Sequence, residues 1–490
     1  MSYLELKSGT DVRGFASEKG GNTVNLTEQA VFDITNAFIF WFCNKNNVSP
    51  KDLKISVGHD SRITAEIIKA QVLKAITSSG ATATDCGLSS TPAMFMTTID
   101  LNADAAIQIT ASHHPFDRNG LKFFVKAGGL DSKDIGEIVA LADEKKKISG
   151  EKEGSIFKEN YMIAYAARLR KMICDGVKNG ETPLKGYHII VDAGNGAGGF
   201  YAENVLKPLG ADISGSQFLN PDGMFPNHIP NPEDKTAMES ICSAVKKSGA
   251  DLGLIFDTDV DRAACVDCHG TEINRNRLIA LASIIATQNA NGATIVTDSV
   301  TSSGLKTFIN DDLKGNHYRY KRGYKNVINK AIELNEQGID CPLAIETSGH
   351  AAFRENFFLD DGAYLVTKIV IELAKGQDID SLLKNLKMPA EEKEVRFKIL
   401  ADDFRTYGQG VINDLEKFVN ASSEFVAADD NREGLRAFYK NGWFLLRLSV
   451  HDPVMPMNFE SDDEGGIAEI IEKIRPFFKA YDFLDTSALK

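Results

Sequence analysis

"DLGLIFDTDVDR", Asp251 to Arg262, runs an unbroken apolar stretch into a loop where Asp257, Asp259 and Asp261 alternate with neutral residues. A short apolar run without alternation predicts a strand buried on both faces, as in a parallel sheet. Ligands of open α/β sheets gather at the carboxyl ends of such strands, where this acidic loop falls. Three carboxylates this close repel one another unless a cation holds them, and hard oxygen ligands select magnesium, calcium or manganese. An EF-hand is excluded, because its glycine and bidentate glutamate positions hold Arg262 and Cys268. The bland alternative is a solvated acidic turn. Arg262 argues against it, since an arginine beside a metal loop is suited to fork onto a phosphate.

Outward from this stretch the same order of signals recurs. "KISVGHDSR" at 54 to 62, "YHIIVDAGNGAGG" at 187 to 199 and "ATIVTDSVTSSG" at 293 to 304 each lead an apolar segment into a Gly, Asp or Ser loop and then a helical pattern. Repeated α/β units follow, and 490 residues predict three or four domains of about 100 to 150 residues each. Composition shifts at "EKKKISGEKEG", 144 to 154, and "MPAEEKEVRF", 388 to 397, read as connectors.

With 43% hydrophobic and 25% charged residues the chain reads as a soluble globular protein, and its net charge of -13 disfavours nucleic acid as a partner. No apolar run has the length of a membrane span. The start, "MSYLELKSGTDVRG", lacks the basic and apolar regions of a signal peptide, so a cytoplasmic protein with no membrane partner is expected. Seven scattered cysteines do not form a disulfide framework. Cys265 and Cys268 make a CxxC without a second pair, and two buried or half-buried thiols are the simpler reading.

A second polar loop, "TASHHP" from Thr110 to Pro115, follows the apolar "ADAAIQI" and continues "FDRNGLKFF". It puts Ser112 as nucleophile, His113 as proton shuttle and Lys122 as cation within one loop. A lone Ser-His pair is ordinarily only a turn. This pair shares its chain with the acidic loop, with "ETSGH" from Glu346 to His350, and with "RLSVHDP" from Arg447 to Pro453.

In their order and spacing these four segments resemble the α-D-phosphohexomutases, the phosphoglucomutase and phosphomannomutase family, over essentially the whole chain. The chain departs from the family pattern at His114, usually asparagine, at Ile345, usually glycine, and at Val450 and His451 in the last loop. The resemblance implies an α/β, four-domain phosphohexomutase architecture, with three similar α/β domains and a smaller C-terminal α+β domain around a central cleft. The implied domains are 1–159 with the phosphoserine loop, 160–271 with the metal-binding loop, 272–389 with the sugar-binding loop and 390–490 with the phosphate-binding loop.

The implied activity belongs to carbohydrate metabolism: interconversion of hexose 1-phosphate and hexose 6-phosphate, of glucose or mannose, by a monomer or homodimer. Ser112 would carry a phosphoryl group and pass it to the sugar phosphate, with hexose 1,6-bisphosphate as intermediate and activator. Mg2+ would be held by Ser112, Asp257, Asp259 and Asp261 and would neutralise charge as the group moves. Arg13, Lys122 and Arg262 would flank the transferring group, and Lys122 or His113 would assist proton movement. Glu346 and Ser348 would meet sugar hydroxyls, with His350 beside them. Tyr324 and Lys325 of "KRGYKNVI" would line the site, with Gly323 allowing a close backbone approach. A phosphosugar is an anion, so basic residues must gather locally; Arg447, Ser449 and Arg436, with His451, would bind its phosphate.

Two alternatives stay open: a phosphoglucosamine mutase, and a metal-dependent sugar phosphatase that leaks its phosphoenzyme to water. A third is weaker. Gly194, Gly196 and Gly199 fit the GxGxxG of a dinucleotide-binding oxidoreductase, but Asp212 sits before the next apolar residue rather than at the end of a second strand. A tight strand-to-helix turn explains the glycines more simply.

Overall fold

The apolar runs become strands, and their uniform burial follows from helices and chain packed over both faces. A computed structural model describes residues 2–288, 290, 292–449 and 452–489. It contains two compact units, residues 1–286 with 348–382, and residues 287–347 with 383–490.

In the first unit an eight-stranded sheet runs in the order Lys7–Ser8, Asp11–Phe15, Arg118–Val125, Ala105–Ile109, Lys54–His59, Thr82–Leu88, Ile156–Lys158, with Gly128–Gly129 paired to Arg118–Val125. Its centre is parallel, as the crossovers demand, while Arg118–Val125 runs antiparallel to both its neighbours. The charged connector at 144 to 154 therefore leads back into this sheet, because Ile156–Lys158 pairs with Thr82–Leu88. Helix Glu28–Asn46, capped by the Thr27 side chain, packs on Ala65–Ser78 and Ser132–Asp143. Phe38 from that helix stacks on Phe123 of the sheet with ring centroids 4.6 Å apart. Each such buried ring contributes about 1.5–3 kcal/mol.

A four-stranded sheet follows: Ile189–Asp192, Leu252–Phe256, Ala263–Asp267 and Glu272–Ile273. Leu252–Phe256 is buried at every residue and parallel to Ile189–Asp192, as its composition predicts. On its other side the chain reverses through the acidic loop into antiparallel Ala263–Asp267. That reversal folds three aspartates into one turn. Cys265 is buried in the returning strand, whereas Cys268 is exposed and departs from the expected half-burial.

Glycine is required next to this loop. A Cβ on Gly196 would stand 2.5 Å from the Thr258 carbonyl oxygen, and one on Gly199 would stand 2.2 Å from that of Leu219. The glycines of "GNGAGG" thus serve close backbone packing. Residues 348–382 add the antiparallel pair Ala351–Phe353 and Leu359–Asp360 and helix Gly362–Ala374, whose first residue donates its N–H to the Val260 carbonyl.

The second unit holds the parallel strands Asn316–Arg319, Thr294–Thr297 and Leu343–Ile345. It also holds a six-stranded sheet ordered Val426–Ala427, Leu435–Tyr439, Gly442–Leu446, Val454–Ser461, Glu391–Ile399, Leu484–Asp485, covered by helices Phe404–Ala421 and Gly466–Phe478 around Phe397, Phe444, Leu415 and Ile474. The segment read as a connector at 388 to 397 is mostly strand. Val395, Phe397 and Ile399 point into the core and charged residues alternate outward, so its charge hides a period of two. Among the described residues no helix is long and apolar enough to cross a membrane.

Candidate active site

Strand Ala105–Ile109 ends in Thr110, and two residues later Ser112 takes φ 50°, in the left-handed region that costs a non-glycine residue of order 1 kcal/mol. The surroundings over-determine this conformation. Ser112 donates its N–H to Thr110 Oγ1 (2.8 Å), and Thr110 donates its hydroxyl to Asp60 Oδ2 (2.6 Å). Arg62, only 2% exposed, uses both terminal nitrogens on the same loop. Nη1 donates to the carbonyls of Pro115 (2.6 Å) and Arg118 (2.7 Å), and Nη2 to those of Ser112 and His114 (both 2.5 Å). Its Nε faces Asp60 Oδ2 at 3.4 Å. Asp60 and Arg62 were not singled out from sequence. Their signal was "GHDSR" at a strand end, which does not distinguish an arginine bound to carbonyls from one that awaits a phosphate.

The acidic loop meets Ser112 directly. Ser112 Oγ donates to Asp257 Oδ2 at 3.1 Å. Arg262 Nη2 lies 3.2 Å from Ser112 Oγ and 2.7 Å from His113 Nδ1, while Nε and Nη2 reach Asp257 Oδ2 at 3.2 and 3.1 Å. Lys122, expected in a loop, lies instead in strand Arg118–Val125 and is buried, with Nζ 2.5 Å from Asp261 Oδ2 and 3.0 Å from Asp259 Oδ2. Thr91 donates its hydroxyl to Asp259. Val260, between Asp259 and Asp261, takes φ 68°, unusual for a β-branched residue, and is held by the N–H of Gly362.

All three aspartates are buried, which removes the solvated-turn reading, and their oxygens lie within 4.8 Å of one another. Three ionised carboxylates against Lys122 and Arg262 would leave one negative charge uncompensated. Burial, with repulsion from Asp261 and Asp259, pushes the Asp257 carboxyl well above the usual range. Asp259 Oδ1 and Asp261 Oδ1 are buried without a hydrogen-bond partner. An acceptor-only cluster with unmet oxygens and excess negative charge fits a hard divalent cation.

Two histidines complete the group. Burial and then the Arg262 charge depress the His113 imidazole to about 2, and burial outweighs the pull of Asp261 to hold His350 at about 3. Both rings are neutral. Since His113 Nδ1 accepts from Arg262, its proton sits on Nε2. His350 pairs antiparallel with Arg262 through the backbone, and its Nδ1 lies 2.8 Å from Ser348 Oγ. Arg13, bonded to Asp11 at 2.7 Å on the strand beside Arg118–Val125, adds to the charges that keep both histidines neutral. His114, where the family has asparagine, is likewise depressed to about 3 by burial and then Arg13, with Nδ1 3.4 Å from Arg118. Ser112, His113, Lys122, Arg13, Arg262, the three aspartates, Ser348 and His350 therefore all belong to the first unit.

Glu346 and the C-terminal residues belong to the second. Glu346, 3% exposed, accepts the Gly323 N–H at 2.6 Å, and Tyr324 and Lys325 follow in the first turn of helix Tyr324–Glu336. Arg447 is buried with Nε unpartnered; burial and then the Arg322 charge hold its guanidinium below its ordinary range. Arg322, missed in the sequence, is thus a second cation near Arg447. Ser449 Oγ accepts the Asp452 N–H at 3.3 Å. Arg436 is placed differently from the expectation. Its guanidinium carbon lies 3.5 Å from the centre of the Trp443 ring, and Nη1 donates to the carbonyls of Thr301 (3.0 Å) and Ser299 (3.3 Å), so it braces this unit internally. Val450 and His451 lie outside the described residues.

A buried serine hydroxyl set against three carboxylates that fit a divalent cation, with lysine and arginine at its flanks, is an arrangement suited to phosphoryl transfer. Comparison with known proteins narrows the class. Residues 6–149, 164–270 and 274–388 match phosphoglucomutase/phosphomannomutase alpha/beta/alpha domains I, II and III in turn. A phosphoglucomutase from Neisseria gonorrhoeae is 27% identical over 477 residues, 96% of this chain and 95% of that protein. A phosphomannomutase/phosphoglucomutase from Pseudomonas syringae is 29% identical over 428 residues, 86% of each. The solved structure of a phosphoglucomutase/phosphomannomutase family protein from Burkholderia thailandensis shares the fold, with TM-score 0.81 and 24% identity over 98% of each chain. The chain belongs to the phosphoglucomutase/phosphomannomutase family, the α-D-phosphohexomutases, and is an intramolecular phosphotransferase with three α/β domains and a C-terminal domain.

Proposed function

We propose that this enzyme interconverts hexose 1-phosphate and hexose 6-phosphate, with glucose and mannose as the sugars, through a phosphoserine at Ser112 and a sugar bisphosphate. The observation that carries the reading is Ser112 Oγ, within 3.2 Å of both Asp257 and Arg262. In the forward step the bond between phosphorus and Ser112 Oγ breaks, a sugar hydroxyl oxygen bonds to phosphorus, and the hydroxyl proton leaves to a neighbouring base. The second half-reaction returns the other phosphate to Ser112. His113 is closed to that proton, because its Nδ1 accepts from Arg262 and its Nε2 is already protonated, so the proton falls to His350; Lys122, between Asp259 and Asp261, suits charge stabilisation instead. A magnesium ion held by Asp257, Asp259, Asp261 and the Ser112 oxygen would supply the positive charge that the phosphoryl oxygens need.

Glu346 and Ser348 would hydrogen-bond hexose hydroxyls, and Arg447 with Ser449 would hold the phosphate that does not react. Arg436 is a weaker candidate for that grip, because its Nη1 is engaged by the Ser299 and Thr301 carbonyls and its plane lies on Trp443, while Nε and Nη2 are buried without a partner. The glucose and mannose enzymes among the relatives favour these sugars. A coupled assay of glucose 1-phosphate, mannose 1-phosphate and glucosamine 1-phosphate side by side tests the reading. Isomerisation of the first two is expected. Turnover of glucosamine 1-phosphate alone, or release of inorganic phosphate without isomer, would overturn it.

A further inference from the structure

Segment 222–233, "DGMFPNHIPNPE", has no helix or strand, yet it is tied down along its length. Asn195 in the glycine turn accepts the Asp222 N–H (2.9 Å) on its carbonyl and the Asn227 side-chain amide (2.7 Å) on its own. His228 donates Nε2 to Asp192 (3.0 Å) and Nδ1 to the Ile229 carbonyl (2.9 Å), and Asn274 donates to the Pro232 carbonyl (2.8 Å). Three prolines further restrict the backbone.

The segment touches both arginines that frame Ser112. At Gly223 it lies so close to the Arg62 backbone that a Cβ would stand 2.4 Å from the Ser61 oxygen, and the Phe225 ring lies 5.3 Å from the Arg62 guanidinium. At its far end Asn231 Oδ1 accepts from Arg262 Nη1 at 3.1 Å, with Glu233 3.8 Å from the same nitrogen. The remaining Arg262 nitrogens, Nε and Nη2, are directed at Asp257, Ser112 and His113. Asn231 therefore holds the corner of the planar fork opposite the serine, where the other acceptor, Glu233, stands back at 3.8 Å.

We infer that segment 222–233 is a positioning arm for phosphoryl transfer, in which Asn231 fixes the Arg262 guanidinium across Ser112 Oγ. The inference rests on the proposed role of Ser112 and assigns to the glycine turn the task of anchoring the arm. In this role Asn231 acts through Arg262.

The test measures single-turnover phosphorylation of Ser112 by glucose 1,6-bisphosphate, together with kcat, KM and thermal stability. Asn231→Ala should slow phosphorylation and kcat by about 10- to 100-fold, the scale of a misplaced reacting group, with KM changed by less than about threefold. Asn231→Asp keeps an acceptor at the same reach, both for Arg262 Nη1 and for the Glu233 N–H that the same oxygen accepts at 3.1 Å, and should restore most of the rate with KM unchanged. Asn231→Ser keeps the local turn but is too short to reach Nη1, and serves if the alanine variant does not fold. A kcat unchanged in these variants, or a loss that Asn231→Asp does not rescue, overturns the arm. Ser112→Ala is run in parallel: if it stays active the Ser112 reading fails, and if it is dead while Asn231→Ala is silent only the arm fails.

Discussion

Around Ser112 the cations are engaged within one unit, Lys122 on two aspartates, Arg262 on a third and Arg62 on four carbonyls, and what is left over is acceptors, Asp259 Oδ1 and Asp261 Oδ1. Around Arg447 donors are left over. Arg447 Nε is buried without an acceptor, and a neighbouring arginine rather than a carboxylate is the main charge acting on it. The first arrangement is preorganised, so its groups cost little reorganisation when charge moves. The second would be relieved by an anion, and its donors would then convert directly into binding. Chemistry and grip should therefore separate in kinetics, with the Ser112 loop setting kcat and the Arg447 loop setting KM.

The largest expected effect lies on the chemical side. Ser112→Ala should lower mutase turnover by at least about 10³-fold while the fold stays intact, and intact-mass spectrometry should find one phosphate on native protein and none on the variant. Removal of divalent metal by chelation should abolish turnover reversibly, since Asp259 and Asp261 carry the unmet oxygens. Full activity in either experiment breaks the distinction at its root.

On the binding side, Arg447→Ala removes a charged donor set and should raise KM about 100-fold, equivalent to about 3 kcal/mol. Turnover should fall less, and release of inorganic phosphate should hold level or rise relative to isomerisation, because a loosely held sugar admits water to the phosphoserine. An unchanged KM would show that Arg447 anchors nothing. Glu346→Gln keeps the shape and loses the charge, so a smaller loss of about 10-fold in kcat/KM is expected, about 1.5 kcal/mol, with Ser112 still phosphorylated by the bisphosphate. A kinetically silent variant would place sugar recognition elsewhere.

The two regions also differ in how well sequence discloses them. "TASHHP" and "DTDVDR" hold their chemistry in adjacent residues, so the serine, histidine and aspartates were readable, and the strands that deliver them follow from uninterrupted apolar runs. Arg62 and Asn231 escaped because their partners lie far along the chain and are carbonyls or another side chain. Arg436 was drawn to the phosphate loop by its nearness to Arg447, but Leu435–Tyr439 pairs with Gly442–Leu446, and that register brings Trp443 under its guanidinium. Strand Glu391–Ile399 was hidden by charges on its outer face. What sequence shows well is chemistry packed into one turn; what it conceals is the scaffold gathered from distant segments.

The smallest expected effect concerns the scaffold on the Ser112 side. Burial opposes a charged His228, but the Asp192 carboxylate accepts its Nε2 proton, and together with the Ile229 carbonyl at Nδ1 it raises the imidazole above its ordinary value. A group whose pKa is raised by folding stabilises the fold fully below its unfolded value, about 6.5, and that contribution is lost as pH climbs through the folded value. The melting temperature of the native enzyme should therefore exceed that of His228→Gln most clearly near about pH 6, and the gap should narrow toward about pH 9. Thermal melts of both proteins across that range decide it. A gap that stays constant or widens with pH would mean that the His228 contact is neutral packing and that charge compensation on the Ser112 side stops at Arg262.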